Sequence, residues 1–387
     1  MERGSIRQRG RDSWQLRVYV GTDPETGRQR WATQTVHGSQ RFARRQLEDL
    51  VEEAGRAQVH AGTLGELLDR WFDAASPGWA VTTRGHTRSV TDCYLKPHLG
   101  HLYVAKLTTV DIDDFYGHLL RAGGRDYQPL APGTVRRVHG VLHRALAQAV
   151  RWEWIWLNPA TNASPPRVPP AEIRPPRPDQ VVALLDALRQ SDPPLFCFLR
   201  LAASTGARRS QLLALRWGDV DWERAAISFT RALVEGIHGP ELRWTKTHRT
   251  YRVELDRETP EVLLGHRSAC ETRARQAGVQ ITDNGFLFSS RPDGGKPWLP
   301  NWLTKRFVSA RRAAGLPHFR LHDLRHFMAT EMLAAGVPIV TVSQRLSHAR
   351  ASTTLNVYAH AVPGGDRGAA ETLASILAGG RREAGRS

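Results

Sequence analysis

Residues 164–178 hold seven prolines (165, 166, 169, 170, 175, 176 and 178) and few apolar side chains. Proline fixes φ, carries no amide N–H and clashes with the preceding helical turn. At that density neither an α-helix nor a central strand can pass through. The segment therefore reads as a semi-rigid spacer, and the 387-residue chain must bury its apolar side chains separately before and after it. That length is enough for two or three cores.

Before the spacer the periodicity changes once. Residues 14–20 alternate, with Trp14, Leu16, Val18 and Val20 on one face and Arg17 and Tyr19 on the other. The turn formers of residues 21–27 follow, and residues 28–36 read as the returning strand. A helix is expected over 41–56, with Phe42, Leu47, Leu50 and Val51 as its apolar positions. From Gly62 the spacing is helical: Leu64, Leu67, Leu68, Trp71 and Phe72, then residues 111–120 and 134–151. The last of these sets Arg136, Arg137, His139, His143 and Arg144 around a stripe of Val138, Val141, Leu142, Leu146 and Val150. Trp152, Trp154 and Trp156 read as packing residues closing this block.

After the spacer, Asp179 is expected to cap a helix carrying Val181, Leu184, Leu185 and Leu188. Residues 196–203 read as a second helix, 217–221 as the end of the next, 226–232 as the start of a sheet, and 320–335 as a helix stopped by Gly336 and Pro338. The expected fold is mainly α with small β-sheets. It comprises a sheet-plus-helix domain over 1–60, an all-α domain over 62–160, the linker 161–178, a mixed α+β domain over 179–365 and a flexible tail over 366–387.

The charge narrows the partners. The formal net charge is +16 and the pI about 10.7, with 49 arginines against 5 lysines. Such an excess points to a polyanion, nucleic acid first and an anionic membrane surface second. Arginine is the better phosphate fork of the two cations. No run of eighteen apolar residues predicts a membrane span, and the N-terminus lacks the apolar stretch of a signal peptide. Cys93, Cys197 and Cys270 are odd in number and far apart, which suits a reducing cytoplasm better than a disulfide or zinc framework.

Chemistry concentrates near the C-terminus. Leu321-His322-Asp323-Leu324-Arg325-His326 is followed by Leu346-Ser347-His348 and then by Asn356-Val357-Tyr358. His322 and Arg325 are three apart, one face of a helix, where an anion could be held by a guanidinium fork beside a group that exchanges protons near neutral pH. His322 and His326 also have the i, i+4 spacing of a zinc pair, but Asp323 stands where that motif has its base and Arg325 repels a cation, so no metal is expected. Upstream lie Thr205-Gly206-Ala207-Arg208 and, between two strand-like runs at 241–244 and 250–255, Lys246.

In this order the pieces resemble the tyrosine recombinases, the phage-integrase family. The resemblance is strong over 179–362, moderate over 62–159, where it implies a core-binding domain, and weak before that, where it implies an arm-binding domain. It implies a clamp of two lobes around duplex DNA hinged at the spacer. Arg208 and Arg325 are then the forks on the non-bridging oxygens of a pentavalent phosphorus, where fixed positive charge must replace a metal. Tyr358 is the nucleophile, His322 the acceptor of its proton, Lys246 the donor to the leaving 5′ oxygen, and His348 a hydrogen-bond donor to the scissile phosphate. The product is a 3′-phosphotyrosine link, exchanged through a Holliday junction with neither ATP nor cofactor. The implied partners are double-stranded attachment sites and a homotetramer on synapsed DNA, with an excisionase and a DNA-bending protein beside it. One departure stands out: the family usually has Glu three residues after its first arginine, and this chain has Gln211. A Xer-like or transposon recombinase, a type IB topoisomerase-like relaxase and a DNA-binding protein with decayed catalysis are the alternatives. The N-terminal sheet disfavours the first two, the H-x-x-R pattern also counts against the relaxase, and the full residue set disfavours the last.

Overall fold

The computed structural model describes residues 4–22, 29–56, 62–169, 174–236, 239–244, 250–348, 350–359, 370–371 and 374. The chain divides into two compact units, Met1–Pro170 and Ala171–Ser387, and the division falls inside the proline-rich spacer.

The first unit opens with a three-stranded antiparallel sheet of β1 (Gly4–Gly10), β2 (Ser13–Thr22) and β3 (Gln29–His37) in that order. The strand β1 was not foreseen, because its sequence carries one large apolar residue, Ile6, among arginines and glycines. On β2 the alternation places Trp14, Leu16 and Val18 in the interior and leaves Arg17 exposed beside Arg7 and Arg9 of β1. Helix α1 (Gln40–Arg56) covers the buried face with Ala43, Leu47 and Leu50. Phe42, expected to be inward, is exposed instead, and the residue after it fills the position.

The helical part starts at a reciprocal cap. Thr63 Oγ1 accepts from the Glu66 N–H and the Glu66 carboxylate accepts from the Thr63 N–H, which begins α2 (Leu64–Ala75). Helix α3 (Val81–Val90) runs through a π-turn at Thr91–Leu95 into α4 (Lys96–Leu99). Its Thr- and Gly-rich sequence has low helix propensity, which is why it escaped the periodicity reading. A second reciprocal cap, Thr108 with Asp111, starts α5 (Thr109–Ala122), and Pro132 occupies the first turn of α6 (Pro132–Arg151). The expected stripe of α6 is inward: Val138, Val141, Leu142 and Leu146 meet Leu64, Leu67 and Leu68 of α2 in one core. Trp154 is buried at its edge, and Arg70 lies over the rings of Trp152 and Trp154.

The second unit begins with α7 (Pro178–Ser191) and α8 (Pro193–Thr205). Asp179 does not cap α7: Arg177 holds the cap position, Pro178 the first turn, and Asp179 pairs with the Arg177 guanidinium. After the short α9 (Arg209–Leu212), residues 217–221 form a 3-10 turn and the strand β4 (Val220–Asp221) rather than a helix end. The run expected at 226–232 is two strands, β5 (Ala226–Phe229) and β6 (Arg231–Gly236). Strand β7 (Gly239–Trp244) returns on β6, whereas β8 (Tyr251–Glu254) returns on β5, on the side away from β4. The strands flanking Lys246 therefore pair with neighbouring parts of one run, not with each other. Trp244 is opposite Arg231 and Tyr251 is opposite Phe229. Helices α10 (Thr259–Gln276) and α11 (Pro300–Ala313) close a core built around Phe198, Trp217, Phe288 and Phe307. Helices α12 (Asp323–Ala334), α13 (Ile339–Arg345) and α14 (Ala351–Tyr358) form a smaller cluster with Met328, Leu333, Val342, Leu346 and Tyr358 inside. Among the described residues no helix is long and apolar enough to cross a membrane.

Candidate active site

The C-terminal end of α8 sets the geometry. Gly206 ends that helix in the left-handed region at φ 64°, donating its N–H to Ala202 O. A Cβ at this position would meet the Met328 methyl group, already buried in the small cluster, so the turn needs glycine for both reasons. Thr205 latches the turn from inside: its hydroxyl donates to Leu201 O and accepts from the Ala207 N–H. The chain can then start α9 at once with Arg208 as cap residue and its side chain exposed.

Arg325, one turn into α12, reaches back to this point. It is only 4% exposed. Its Nη1 donates to Gly206 O at 2.6 Å, and its Nη2 donates to Leu346 O at 2.7 Å and faces His348 Nε2 at 3.0 Å. One guanidinium thus ties together the T-G-A-R turn, α12 and the turn after α13. Burial first, then the charge of Arg208, pulls its pKa down to about 10, which leaves it cationic at neutral pH.

Because Nε2 of His348 accepts from Arg325, its Nδ1 carries the proton and donates to Thr354 Oγ1 at 2.8 Å on α14. Burial and the charges of Arg325 and Arg208 lower the pKa of His348 to about 4, so the ring is neutral. Thr354 in turn fixes the helix that carries Tyr358. The Tyr358 side chain is 1% exposed and its hydroxyl lies 2.7 Å from His326 Nδ1. Burial raises the phenol pKa, partly offset by Arg325. His322, at the start of α12 and open to solvent, meets His326 ring edge to face at 5.0 Å. Its pKa falls to about 4, through desolvation and then the neighbouring His326 and Arg325.

Four of the six expected residues therefore converge directly: Arg208, Arg325, His348 and Tyr358. His322 joins them through His326. Lys246 lies outside the described residues. His326 stood in the sequence as the last residue of the H-D-L-R-H pattern and as half of a zinc-like spacing, without a role of its own; among the described residues no group of His, Cys, Asp or Glu is arranged to hold a metal.

Gln211 sits beneath the two arginines, 4% exposed. Its Oε1 accepts from the Arg208 N–H at 3.0 Å and from the Tyr251 hydroxyl at 3.0 Å. Tyr251 stacks on Phe229, and burial raises its pKa to about 12 although Arg325 and Arg208 oppose the shift. The amide oxygen supplies the acceptor that a carboxylate would, without its charge. Gln211→Leu should strand both donors and lower stability by about 2 kcal/mol. Gln211→Glu should keep both bonds and melt close to the unsubstituted chain. Thermal melting of the two variants side by side checks this.

Comparison with known proteins identifies the family and the fold. Residues 177–363 match the Phage integrase family, and residues 63–120 match the Phage integrase, N-terminal SAM-like domain. The chain is 25% identical to a tyrosine recombinase XerC-like protein of Caldanaerobacter subterraneus subsp. tengcongensis, covering 81% of this chain and 83% of the relative. It is 22% identical to the ICEBs1 integrase of Bacillus subtilis, covering 96% and 100%. It is 26% identical to the integrase of Salmonella phage P22, covering 83% and 84%. Among solved structures, the Tn1549 transposon integrase in complex with a circular intermediate DNA superposes with a TM-score of 0.66 at 18% identity, covering 81% of this chain and 99% of that one. A lambda integrase tetramer bound to a Holliday junction gives 0.57 at 18% identity, covering 91% and 97%. With residues 177–363 and 63–120 both matched to phage-integrase models, and the fold shared, the chain belongs to the phage integrase family of tyrosine recombinases.

Proposed function

We propose that the protein is a site-specific integrase that cuts and rejoins DNA through Tyr358, integrating or excising a mobile element. The observation that carries this reading is the convergence of two arginines, a histidine and a tyrosine hydroxyl from four separate segments of the chain on one site. Arg208, exposed, and Arg325, fixed from behind, give positive charge to the non-bridging oxygens of a phosphodiester. Preorganised charge of this kind matters most when charge spreads over those oxygens in the transition state. His348 acts through Arg325, whose Nη2 its Nε2 meets at 3.0 Å. In the attack, the Tyr358 oxygen bonds to phosphorus as the bond from phosphorus to the 5′ oxygen breaks. The phenol proton passes to a histidine of α12, and Lys246 supplies a proton to the leaving oxygen. Because the tyrosine is buried in the free chain, its hydroxyl and the histidine bonded to it must become accessible together when DNA engages. The phosphotyrosine conserves the bond's energy, so rejoining to a second strand needs no ATP and no metal.

The exposed arginines of the N-terminal sheet and the net charge of +16 suit an arm-binding and core-binding pair of DNA contacts, with a tetramer on synapsed DNA as the working assembly. An excisionase and a DNA-bending protein would set direction. The presence of the sheet ahead of the helical part favours an integrase over a Xer-type resolvase.

The test is covalent capture. A core sequence is selected from a random duplex pool by binding to the full chain, then rebuilt as a nicked suicide substrate and incubated in a chelator without nucleotide. A denaturation-resistant adduct whose phosphopeptide maps to Tyr358 is expected. Tight binding without any adduct would leave a DNA-binding protein with lost catalysis.

A further inference from the structure

We propose that His326, and not His322, is the catalytic residue that receives the Tyr358 proton. The proposal rests on the reading of Tyr358 as nucleophile. His326 Nδ1 is the group in hydrogen-bond contact with the hydroxyl, at 2.7 Å, with the two rings tilted and 5.6 Å apart. No bond joins His322 to the tyrosine among the contacts of the described residues. His322 touches the ring of His326 instead.

The surroundings suit a proton acceptor. A phenol is the better donor of the pair, so Tyr358 donates and Nδ1 accepts, which requires the Nε2–H tautomer of His326. Burial lowers the pKa of His326, so the ring is neutral with its lone pair free near pH 7. The groups that face it are Asp323, Arg320, Arg325 and His322 from its own helix and the approach to it, His348 from the turn after α13, and Tyr358 from α14. Asp323 is the one carboxylate in that set. It lies one turn before His326, held by Arg320, and its charge steadies an imidazolium once the proton has arrived.

The step balances. The Tyr358 O–H bond breaks and the proton moves to Nδ1. The O–P bond forms, the bond from phosphorus to the 5′ oxygen breaks, and the leaving oxygen is protonated from elsewhere in the site or by water. Rejoining returns the Nδ1 proton to the phenol. His322, one turn away and solvent-exposed, is placed to exchange protons with water rather than to touch the nucleophile.

The experiment is single-turnover adduct formation on the selected nicked duplex, followed from pH 5.5 to 9.5 for the unsubstituted chain, His326→Asn and His322→Asn. Asparagine keeps a polar atom near the Nδ1 position but cannot hold the proton. The unsubstituted rate should rise with pH and level off above the histidine pKa. His326→Asn should lose about 10²-fold near pH 7, with the deficit shrinking about tenfold per pH unit as hydroxide takes over. His322→Asn should give a curve of unchanged shape. If the His326→Asn curve runs parallel to the unsubstituted one, His326 only positions the tyrosine and the proposal is overturned. If His322→Asn shows the shrinking deficit instead, His322 is the base. Should His326→Asn fail to fold, His326→Gln and rescue of His326→Gly by added imidazole replace it. Absence of rescue together with a pH-independent deficit overturns the proposal. Failure of the unsubstituted chain to form any adduct, or an adduct on another tyrosine, removes the nucleophile assignment and this proposal together.

Discussion

Tyr358→Phe is expected to abolish covalent capture of DNA while leaving the fold and the DNA affinity in place. The ring of Tyr358 fills a buried position among Met328, Leu333, Val342 and Leu346, and phenylalanine fills nearly the same volume. The change removes one oxygen and with it the bond to His326 Nδ1. That leaves one histidine lone pair without its donor, at a cost of about 1–2 kcal/mol, softened because His326 is only half-buried. Stability should therefore fall by a few degrees of Tm at most. Covalent adduct formation should be lost entirely, since no other atom at that position can attack phosphorus. Gel-shift affinity, which comes mainly from arginines neutralising phosphates, should be unchanged together with its salt slope. Residual adduct in this variant would mean that another side chain attacks. Loss of binding in parallel with cleavage would mean that the substitution unfolds α14 rather than disarming it.

Much of the candidate site was legible because the chemistry proposed for it leaves few choices of residue. The proposed clamp for phosphate calls for arginines, and Arg208 and Arg325 follow short signatures whose neighbours have their own duties. Thr205 latches a helix end, and Gly206 adopts a conformation that other residues avoid. The helical cores were legible for the same reason that α6 was: Val138, Val141, Leu142 and Leu146 repeat at the helix period and all face inward. What the sequence hid was pairing at a distance. Nothing in the local run around Lys246 tells that Trp244 belongs opposite Arg231 while Tyr251 belongs opposite Phe229. Likewise, His326 sits beside a motif arginine in plain view, but its meaning depends on a tyrosine brought from α14 by packing. Gln211 shows a third limit. The residue type announced a departure from the family, yet only the contacts show that its oxygen serves both Arg208 and Tyr251.

Arg208→Ala and Arg325→Ala should separate two kinds of arginine in the proposed phosphate clamp. Both remove a fork from the transition state, and each should slow adduct formation by about 10²–10³-fold, on the scale of losing an oxyanion donor. Their effects on the fold should differ. Arg208 is exposed and uses its backbone, not its guanidinium, to meet Gln211, so its truncation should leave the melting temperature almost unchanged. Arg325 is buried, and its two terminal nitrogens satisfy Gly206 O and Leu346 O while facing His348. Its truncation strands those acceptors and opens a void between α8, α12 and the turn after α13, a loss of about 2–4 kcal/mol. Arg325→Lys refines the comparison. A lysine restores the charge as a point but cannot span two carbonyls in a plane. It should recover part of the stability and little of the rate, because a head drawn to one carbonyl no longer presents a fixed fork to the phosphate. Melting temperature and single-turnover rate, measured on the same three proteins, decide the matter. Equal destabilisation by Arg208→Ala and Arg325→Ala would contradict the burial argument. A rate restored by lysine would show that charge alone, without the fork held by Gly206 and Leu346, is what the reaction uses.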